Sequence, residues 1–469
     1  MNRKIIIFII SFFIFIFIFI GTNIGKKDGF LESYKRLIPD SLKKTLKEKI
    51  FVYKYQKELN SLIEFQAKLV TDLKEKVITV SFNEIEFTED KSREMILNNS
   101  QKLKVFSAKL KNALGPRGYL QFYGEHLFYI TGTGKIYSAK IKEINNKKIT
   151  FKSIDSDFYK VAGSEYIKES KNIVNHFLIK DDKIYISYNK KKSENCFFNS
   201  LSIAKLNFQK LVFDEQIDFD ECAFAFSYSA AGRLENFKDK KILMTIGDHD
   251  PYSAKEDQPQ KMNNLYGKTI EINTLNKDVK IMSIGHRNSQ GLFYDKKDRV
   301  IFSTDHGPEG GDELNILKDT NNGVKNFGWP ISSYGKHYKK HPLADAFTDP
   351  SKSDNKYIKQ PLKQSHAKFG FVEPIFYWKK SSPPTQVLRT NPQNLNDEKI
   401  IYVSTLGQSN HKNHKSLHKF KFSENYKLKD YKILPIGERI RDMIYLNEQN
   451  IILLYLEATG SIGVLSLDN

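Results

Sequence analysis

The side chains best suited to catalysis or ligand binding lie within residues 285–335. Arg287 and Asn288 stand beside glycines, just after an apolar run. An alternating run, residues 300–304, leads into a polar turn, residues 305–313, that holds four carboxylates and three glycines. Glycine lets backbone carbonyls and amides approach a ligand closely, and carboxylate and carbonyl oxygens suit a hard cation such as calcium. The turn is therefore a candidate ligand site, with a solvated acidic turn as the alternative.

Arginines form a second candidate site. Arg439 and Arg441 lie close together near the C-terminus, and Arg287 lies in the first candidate stretch. The planar guanidinium binds carboxylates through two hydrogen bonds, which lysine does not reproduce. Such a cluster suits a ligand that carries several carboxylates. The alternative is a set of surface arginines that form ion pairs with Glu438 and Asp442.

Four segments resemble the glucose/sorbosone dehydrogenase family, the soluble quinoprotein sugar dehydrogenases of bacteria. Residues 285–291, 305–315 and 326–335 match its patterns GxRNxQG, (E/D)HGPxGGDE(L/I)N and N(Y/F)GWPxxxYG, in that order. Residues 437–442 contain its ERIRD segment. The resemblance implies a six-bladed β-propeller that binds pyrroloquinoline quinone (PQQ) and calcium. It also implies oxidation of a sugar at C1, with the quinone as hydride acceptor.

The resemblance assigns roles to individual residues. The residues implied to bind the cofactor are Arg287, Asn288, His306, Arg439 and Arg441. The residues implied to form the metal region are Gly307, Pro308, Asp312 and Glu313. The resemblance also gives Arg287 a catalytic role, because its charge would polarise a quinone oxygen.

The chain departs from this family at Ser229. Active members carry HxGGRL, in which the histidine is the general base, whereas residues 229–234 read SAAGRL. Serine does not titrate near neutral pH, and loss of a positioned base costs about 10²–10⁴-fold in rate. His249 and His306 are alternative bases, although stabilisation of a turn accounts for His249 and the family shares His306 alongside its catalytic histidine. Two functions stay open: a sugar dehydrogenase, or a catalytically impaired propeller that binds a sugar or glycan or acts in envelope assembly.

The elements that must position these residues are β-strands. From residue 76 to residue 469 the apolar pattern alternates with a period of two, without long amphipathic helices between strands. Six irregular repeats predict an all-β fold, a six-bladed β-propeller whose radial closure protects the sheet edges. The predicted groups are residues 118–141, 173–206, 224–272, 280–317, 371–422 and 432–467.

The N-terminal residues predict export. Residues 1–27 have a short basic start followed by an apolar run, residues 5–20, which is short for a span of about 20 residues. No small-residue cleavage site stands out, which favours an uncleaved anchor in the inner membrane, with the propeller in the periplasm or outside the cell. A cleaved export signal stays open. Residues 28–75 predict a helical stalk, or alternatively a helix that covers the propeller's edge.

The net charge and the position of the aromatic residues indicate which classes of partner to expect. The formal net charge is +19, but aromatic residues do not interleave with the basic runs as a nucleic-acid platform requires. We therefore expect no nucleic-acid partner, a sugar or other polyol substrate, and a membrane contact through the N-terminal helix. The oligomeric state is not predicted.

The two cysteines, Cys196 and Cys222, form a disulfide in an exported chain or remain as two buried thiols.

Overall fold

The computed structural model describes residues 58, 61, 64–66, 83–97, 101–109, 117–163, 172–193, 196–219, 221–222, 229–249, 258–320, 323–335, 365–390, 399–407 and 415–467. The chain divides into two compact units, Met1–Ser81 and Phe82–Asn469. The described residues of the first unit are helical. The predicted anchor, residues 1–27, and most of the predicted stalk, residues 28–75, lie outside the described residues. Among the residues that the structure does describe, no helix is long and apolar enough to cross a membrane.

The second unit is all-β, as predicted, and its described strands form six four-stranded antiparallel groups. Three strands precede the first group: β1 Glu84–Glu89, β2 Met95–Leu97 and β3 Gln101–Ala108. The first group contains β4 Gly118–Tyr123, β5 His126–Thr131, β6 Ile136–Lys140 and β7 Lys148–Ser156. The second contains β8 Val174–Lys180, β9 Lys183–Ser193, β10 Cys196–Lys205 and, after the short β11 Lys210–Leu211, β12 Phe213–Asp218. The third contains β13 Ala231–Asn236, β14 Lys241–Ile246, β15 Lys268–Asn273 and β16 Val279–Ile284.

The remaining groups follow the same order from the innermost strand outwards. The fourth contains β17 Ser289–Asp295, β18 Val300–Asp305, β19 Asp312–Lys318 and, after the short β20 Lys325–Asn326, β21 Phe376–Trp378. The fifth contains β22 Pro384–Thr390, β23 Lys399–Thr405, β24 Ser416–Phe422 and β25 Leu428–Pro435. The sixth contains β26 Ile440–Leu446, β27 Ile451–Leu456, β28 Ser461–Ser466 and β3. The described helices are short: α1 Phe158–Ala162 and the 3₁₀ helices Lys91–Arg93, Ile141–Asn146, Gln258–Gln260 and Ala367–Phe369.

The six groups close into a propeller-like ring. The first strand of each group contacts the first strand of the next, in the order β4, β8, β13, β17, β22 and β26, and β26 contacts β4. The N-terminal strand β3 completes the sixth group by pairing with β28, with Ile462 opposite Phe106. Strand β1 pairs with both β3 and β7, so the first and sixth groups share one continuous sheet. Closure of this kind protects the inner edge of every sheet.

The apolar faces of neighbouring groups pack together to form the core. Phe128 of the first group and Phe177 of the second lie in one buried cluster, and Leu388 of the fifth and Leu454 of the sixth lie in another. Successive side chains of a strand point to opposite faces of the sheet, and each face packs against a neighbouring group.

Several predicted group boundaries were wrong. The first and second predicted groups ended before their outer strands, β7 and β12, and the fifth began with β21, which is the outer strand of the fourth. The predicted fourth group began at Lys280, but β16 is the outer strand of the third group. The predicted sixth group began at Lys432, but β25 is the outer strand of the fifth. Alternation identifies strands, but it does not show whether a strand pairs with the hairpin before it or the hairpin after it.

A disulfide joins Cys196 and Cys222, whose Cα atoms are 4.6 Å apart. Of the two alternatives left open by the sequence, the structure has the disulfide. It ties the beginning of β10 to Cys222, which lies between β12 and β13 in the sequence.

We expect reduction of this disulfide to lower the free energy of unfolding by about 2–4 kcal/mol, because the bond restricts the unfolded chain. Thermal unfolding with and without a reductant measures the change. The double variant Cys196→Ser/Cys222→Ser is the control and should not respond to reductant. Equal stability of the oxidised and reduced wild-type protein would contradict the prediction.

Candidate functional site

The carboxylate of Asp305, at the end of β18, organises the turn that carries Arg287. Its Oδ1 accepts hydrogen bonds from the backbone N–H groups of Arg287 (3.2 Å) and Asn288 (2.7 Å). Its Oδ2 lies 2.9 Å from His286 Nδ1 and accepts a 2.8 Å bond from Ser289 Oγ. Burial would raise the pKa of Asp305, but hydrogen bonds from His286, Ser289 and the Asn288 backbone hold it below the ordinary value. The ionised carboxylate therefore fixes the backbone of residues 286–289.

His286 completes this clamp. Its ring is buried between the carboxylate of Asp305 and the hydroxyl group of Ser283. Ser283 Oγ lies 2.8 Å from His286 Nε2. The ring also stacks on Phe327, with 4.6 Å between the ring centroids. Both ring nitrogens have partners, so His286 holds the turn and does not face a substrate.

Arg287 borders a partly open cavity of about 240 Å³, a volume that includes space open to solvent. Its guanidinium lies over Trp329, 5.5 Å from the ring centroid, which is a favourable cation–π distance. Its Nη1 donates to the carbonyl oxygens of Gly307 (3.1 Å) and His306 (3.4 Å). The residues lining the cavity include Gly285, Arg287, Asp305, His306, Glu313 and Trp329.

His306 is a neutral, fully engaged histidine. Its Nε2 lies 2.7 Å from the Pro384 carbonyl oxygen and must carry the proton, so its Nδ1 accepts from Asn288 Nδ2 at 3.2 Å. Burial lowers its pKa to about 4, and the charges of Arg287 and Arg441 act in the same direction. His306 therefore orients the side chain of Asn288, and it has no lone pair left to act as a general base.

The acidic turn is braced by its own backbone. Gly310 and Gly311 have φ values of 72° and 66°, and a side chain at Gly311 would collide with the backbone of Gly335. Asp312 is buried and accepts hydrogen bonds from the N–H groups of Gly307 (2.9 Å) and Ser382 (2.6 Å). Burial raises its pKa to about 7. Asp312 thus holds the two ends of the turn together.

Glu313 joins the turn to the opposite wall of the cavity. Its Oε1 lies 3.3 Å from His366 Nε2, and its Oε2 accepts from Asn315 Nδ2 at 3.1 Å. Burial would lower the pKa of His366, but the Glu313 carboxylate raises it. The ring of Tyr334 stacks between His366 and Tyr377, with centroid distances of 5.1 and 4.1 Å. This stack of aromatic rings forms a wall behind Glu313, which itself lines the cavity.

Arg439 and Arg441 meet at one carboxylate, Glu457. Arg439 Nε donates to Glu457 Oε2 at 3.1 Å, and Arg441 Nη2 donates to both oxygens at 2.9 and 3.0 Å. Burial would lower the pKa of Arg441, but Glu457 raises it. Two guanidinium groups share one carboxylate, so this corner keeps an excess positive charge.

Ser229 lies in a half-buried turn two residues before Ala231, whose N–H donates to Asn288 Oδ1 at 3.1 Å. The carbonyl oxygen of Ser229 accepts from the N–H of His249. The His249 ring is buried, lies 2.6 Å from Asn199 Oδ1 and has a pKa lowered by burial to about 4. His249 does not line the cavity. The structure thus connects Ser229 to Asn288 through the backbone of residues 229–231.

The predicted cofactor residues suit a polycarboxylate such as PQQ. Arg287 lines the cavity. The charge of Arg441 lowers the pKa of His306, which also lines it. The single carboxylate of Glu457 does not neutralise both Arg439 and Arg441. Trp329 offers a flat apolar face beside them. The arrangement provides cationic groups and an aromatic surface, which a planar anionic ring system requires.

The predicted metal residues suit calcium less well. Asp312 and Glu313 already accept hydrogen bonds within the protein, and the Gly307 carbonyl accepts one from Arg287. Pro308 packs beside Gly335. Within the part of the chain that the structure describes, no group of three or more His, Cys, Asp or Glu side chains could hold a metal ion. The calcium-binding role of these residues stays a prediction.

Several residues of the site were not singled out from the sequence. Trp329 lies within the matched segment of residues 326–335, so its pattern was visible while its role was not. His286 precedes Arg287 directly, but only the fold brings it to Asp305. Glu457 follows an apolar strand like many surface residues, and no sequence signal connects it with two arginines sixteen and eighteen positions earlier.

Comparison with known proteins places the chain among sugar dehydrogenase sequences. A sequence profile described as "Glucose / Sorbosone dehydrogenase" matches residues 173–464. The chain is 30% identical over 103 residues to aldose sugar dehydrogenase YliI of Escherichia coli, covering 22% of each chain. It is 29% identical over 203 residues to quinoprotein glucose dehydrogenase B of Acinetobacter calcoaceticus, covering 36% of this chain and 40% of that one. These matches span less than half the length of the curated relatives.

The fold has solved counterparts. The holo form of the pyranose dehydrogenase PQQ domain of Coprinopsis cinerea superposes with a TM-score of 0.56 and 9% sequence identity. The superposition covers 80% of this chain and 98% of that domain. At this identity the similarity establishes the propeller-like fold alone.

We expect Asp305→Asn to lower the free energy of unfolding by about 2–4 kcal/mol, because charged acceptors form the stronger hydrogen bonds. Equilibrium unfolding in denaturant measures this loss. The wild-type protein should also lose stability in acid: the folded pKa of Asp305 lies below the ordinary value, so its contribution is present above about pH 4 and disappears as pH falls through the folded pKa.

The matched control is Asp430→Asn, which changes a less buried carboxylate on β25 away from the cavity. Asp430→Asn should retain wild-type stability and acid dependence. If Asp305→Asn unfolds at the same denaturant concentration as the wild-type protein, the clamp does not hold the turn.

Proposed function

Because the chain belongs to the glucose/sorbosone dehydrogenase family, we propose that it is a PQQ-dependent aldose dehydrogenase that oxidises a sugar at C1. The observation that carries this proposal is the position of Arg287. The residue combines a guanidinium facing the cavity, an aromatic face beneath it and a backbone fixed by a buried carboxylate. The quinoprotein relative and the PQQ domain with the same fold support the choice of cofactor.

The side chains of this protein would bind the cofactor through charge. Arg441 and Arg439 would hold carboxylates of PQQ, since together they exceed the charge of Glu457. Asn288, oriented by His306, would donate to a cofactor oxygen, and Arg287 would stabilise negative charge that develops on the quinone. When bound, PQQ supplies the two-electron acceptor for the hydride that leaves C1 of the sugar. Calcium would need the Gly307 carbonyl to exchange its bond with Arg287, and no step depends on it here.

The proton of the C1 hydroxyl needs a separate acceptor. Ser229 occupies the position of the family's base, and a hydroxyl is too weak an acid and base for this task near neutral pH. His306 and His249 both have engaged or buried rings. Water near Ser229 would therefore receive the proton, and we expect a slow enzyme.

The proposed location is outside the cytoplasm. The basic start and the apolar residues 5–20 would direct export and anchor the protein in the inner membrane, with the propeller-like unit in the periplasm or outside the cell. The disulfide between Cys196 and Cys222 supports an oxidising compartment.

The second candidate function is favoured by Ser229 itself. A propeller that has lost its base but kept the cavity would bind a sugar or glycan without oxidising it, or act in envelope assembly. The same cavity and the same aromatic wall of Tyr334 and Tyr377 would serve such a binding role.

Addition of PQQ and calcium to the full chain, followed by a panel of aldoses and an artificial electron acceptor, tests the proposal. We expect PQQ to bind, to raise the melting temperature, and to support slow reduction of the acceptor. Arg287→Met should weaken PQQ binding at least tenfold by removing a charged hydrogen-bond donor. Binding of PQQ without turnover would support the second candidate function, and no binding at all would contradict both cofactor and reaction.

We expect Ser229→His to raise the turnover number of the PQQ-loaded protein by about 10²–10⁴-fold, because it supplies the missing base. The rate should then depend on pH with an apparent pKa near that of histidine, about 6.5. Ser229→Ala is the control and should leave the turnover number unchanged. A Ser229→His variant as slow as the wild-type protein would show that the base is not what limits the rate.

A further inference from the structure

A cluster of buried donors lies on the innermost strands, and none of its members has been assigned to the cofactor. Its members are Tyr119 on β4, His176 on β8 and Arg233 on β13, which belong to the innermost strands of three successive groups. Their exposed fractions are 2%, 0% and 3%. The rings of Tyr119 and His176 meet edge to face with 5.4 Å between centroids.

Each member carries an atom without a hydrogen-bond partner in the described structure. These atoms are Tyr119 Oη, His176 Nε2 and the Nε and Nη2 atoms of Arg233. A buried polar atom left without a partner destabilises the folded state, so four such atoms together indicate a ligand or ordered solvent.

All four atoms are able to donate. The Nδ1 atom of His176 accepts a 3.2 Å hydrogen bond from the N–H of Leu234, so in the neutral ring the proton resides on Nε2. Burial keeps this ring neutral by holding its pKa well below the ordinary value, and the nearby charge of Arg233 acts in the same direction. The guanidinium nitrogens of Arg233 donate only, and the hydroxyl of Tyr119 donates when an acceptor faces it.

The acidic partner of the cluster, Asp442, forms an ion pair through Oδ1, although this oxygen accepts no hydrogen bond of good geometry. Asp442 Oδ1 lies 2.7 Å from Arg233 Nη1 in a buried ion pair that connects the third and sixth groups. Asp442 Oδ2 accepts a 2.7 Å bond from the N–H of Leu120. Neither oxygen serves Tyr119 or His176, so what completes the cluster must bring acceptors and few donors.

The local charge has the sign that an anion requires. Four guanidinium groups interact here with two carboxylates. The guanidinium groups are those of Arg117, Arg233, Arg439 and Arg441, and the carboxylates are those of Asp442 and Glu457. The carboxyl group of Glu235 also interacts with Arg233, but burial raises its pKa to about 8. An acceptor-only ligand with a negative charge satisfies both the donors and the charge balance.

From this donor set we propose that Tyr119, His176 and Arg233 form a buried binding site for a monatomic anion of the halide class, such as chloride. The anion accepts the hydrogen bonds of the three side chains and joins the first, second and third groups at the axis of the ring. It lies among the inner strands and is distinct from the Arg287 cavity. It takes no part in electron transfer, so the proposal does not depend on the proposed dehydrogenase activity.

Thermal unfolding of the full chain in sodium chloride and in sodium gluconate, at equal ionic strength, tests the site. Because a ligand that binds only the folded state stabilises it, chloride should raise the melting temperature of the wild-type protein by about 2–5 °C. Tyr119→Phe should lose most of this rise. In gluconate, Tyr119→Phe should be at least as stable as the wild-type protein, because the variant removes an unpartnered buried hydroxyl.

The matched control is Tyr188→Phe. Tyr188 is equally buried in the same apolar cluster, but its hydroxyl accepts a 3.0 Å bond from Gln216 Nε2. This variant should lose some stability in both salts and keep the full chloride effect. A chloride effect that is equal in Tyr119→Phe and Tyr188→Phe would assign it to the lysine-rich surface and overturn the proposal.

A crystal grown in sodium bromide gives an independent measurement. Anomalous scattering should show one bromide within hydrogen-bonding distance of Tyr119 Oη, His176 Nε2 and Arg233 Nε or Nη2. Ordered water at that position without anomalous signal would overturn the proposal.

Discussion

The buried carboxylate of Asp305 is the interaction on which the candidate site depends. It sits at the end of a central strand and accepts hydrogen bonds from four consecutive residues, His286 to Ser289. These bonds fix Arg287 over Trp329 and place Asn288 between His306 and Ala231. One ionised group therefore couples the fourth group of strands to the third, and it determines where the cationic wall of the cavity lies.

Much of this arrangement was predictable from the sequence. Alternating apolar residues predicted an all-β fold, and two residues of the matched segments, Arg287 and His306, line one cavity. The sequence did not show how polar atoms are shared. The oxygens of Asp312 and Glu313 are occupied by backbone and side-chain donors, and Glu457 joins Arg439 to Arg441 from the turn after β27. Such pairings depend on distances between chain segments, which neither spacing nor residue type encodes.

The site and its chemistry are separable in this protein. The cavity with Arg287 and Trp329 suits a planar anionic cofactor, whereas Ser229 lacks the titration that sugar oxidation requires. Loss of one side chain from a rigid turn leaves the surrounding hydrogen bonds intact, because residues 229–231 contact Asn288 through the backbone. A ring of sheets can thus retain a binding cavity while its catalytic rate changes by orders of magnitude.

A crystal structure of the full chain grown with PQQ tests the central claim most directly. The account predicts density for the cofactor beside Trp329, with its oxygens within hydrogen-bonding distance of Arg287 and Arg441. Density at another place on the molecule, or a cavity that holds only water at saturating PQQ, would contradict the assignment of this cavity as a quinone site.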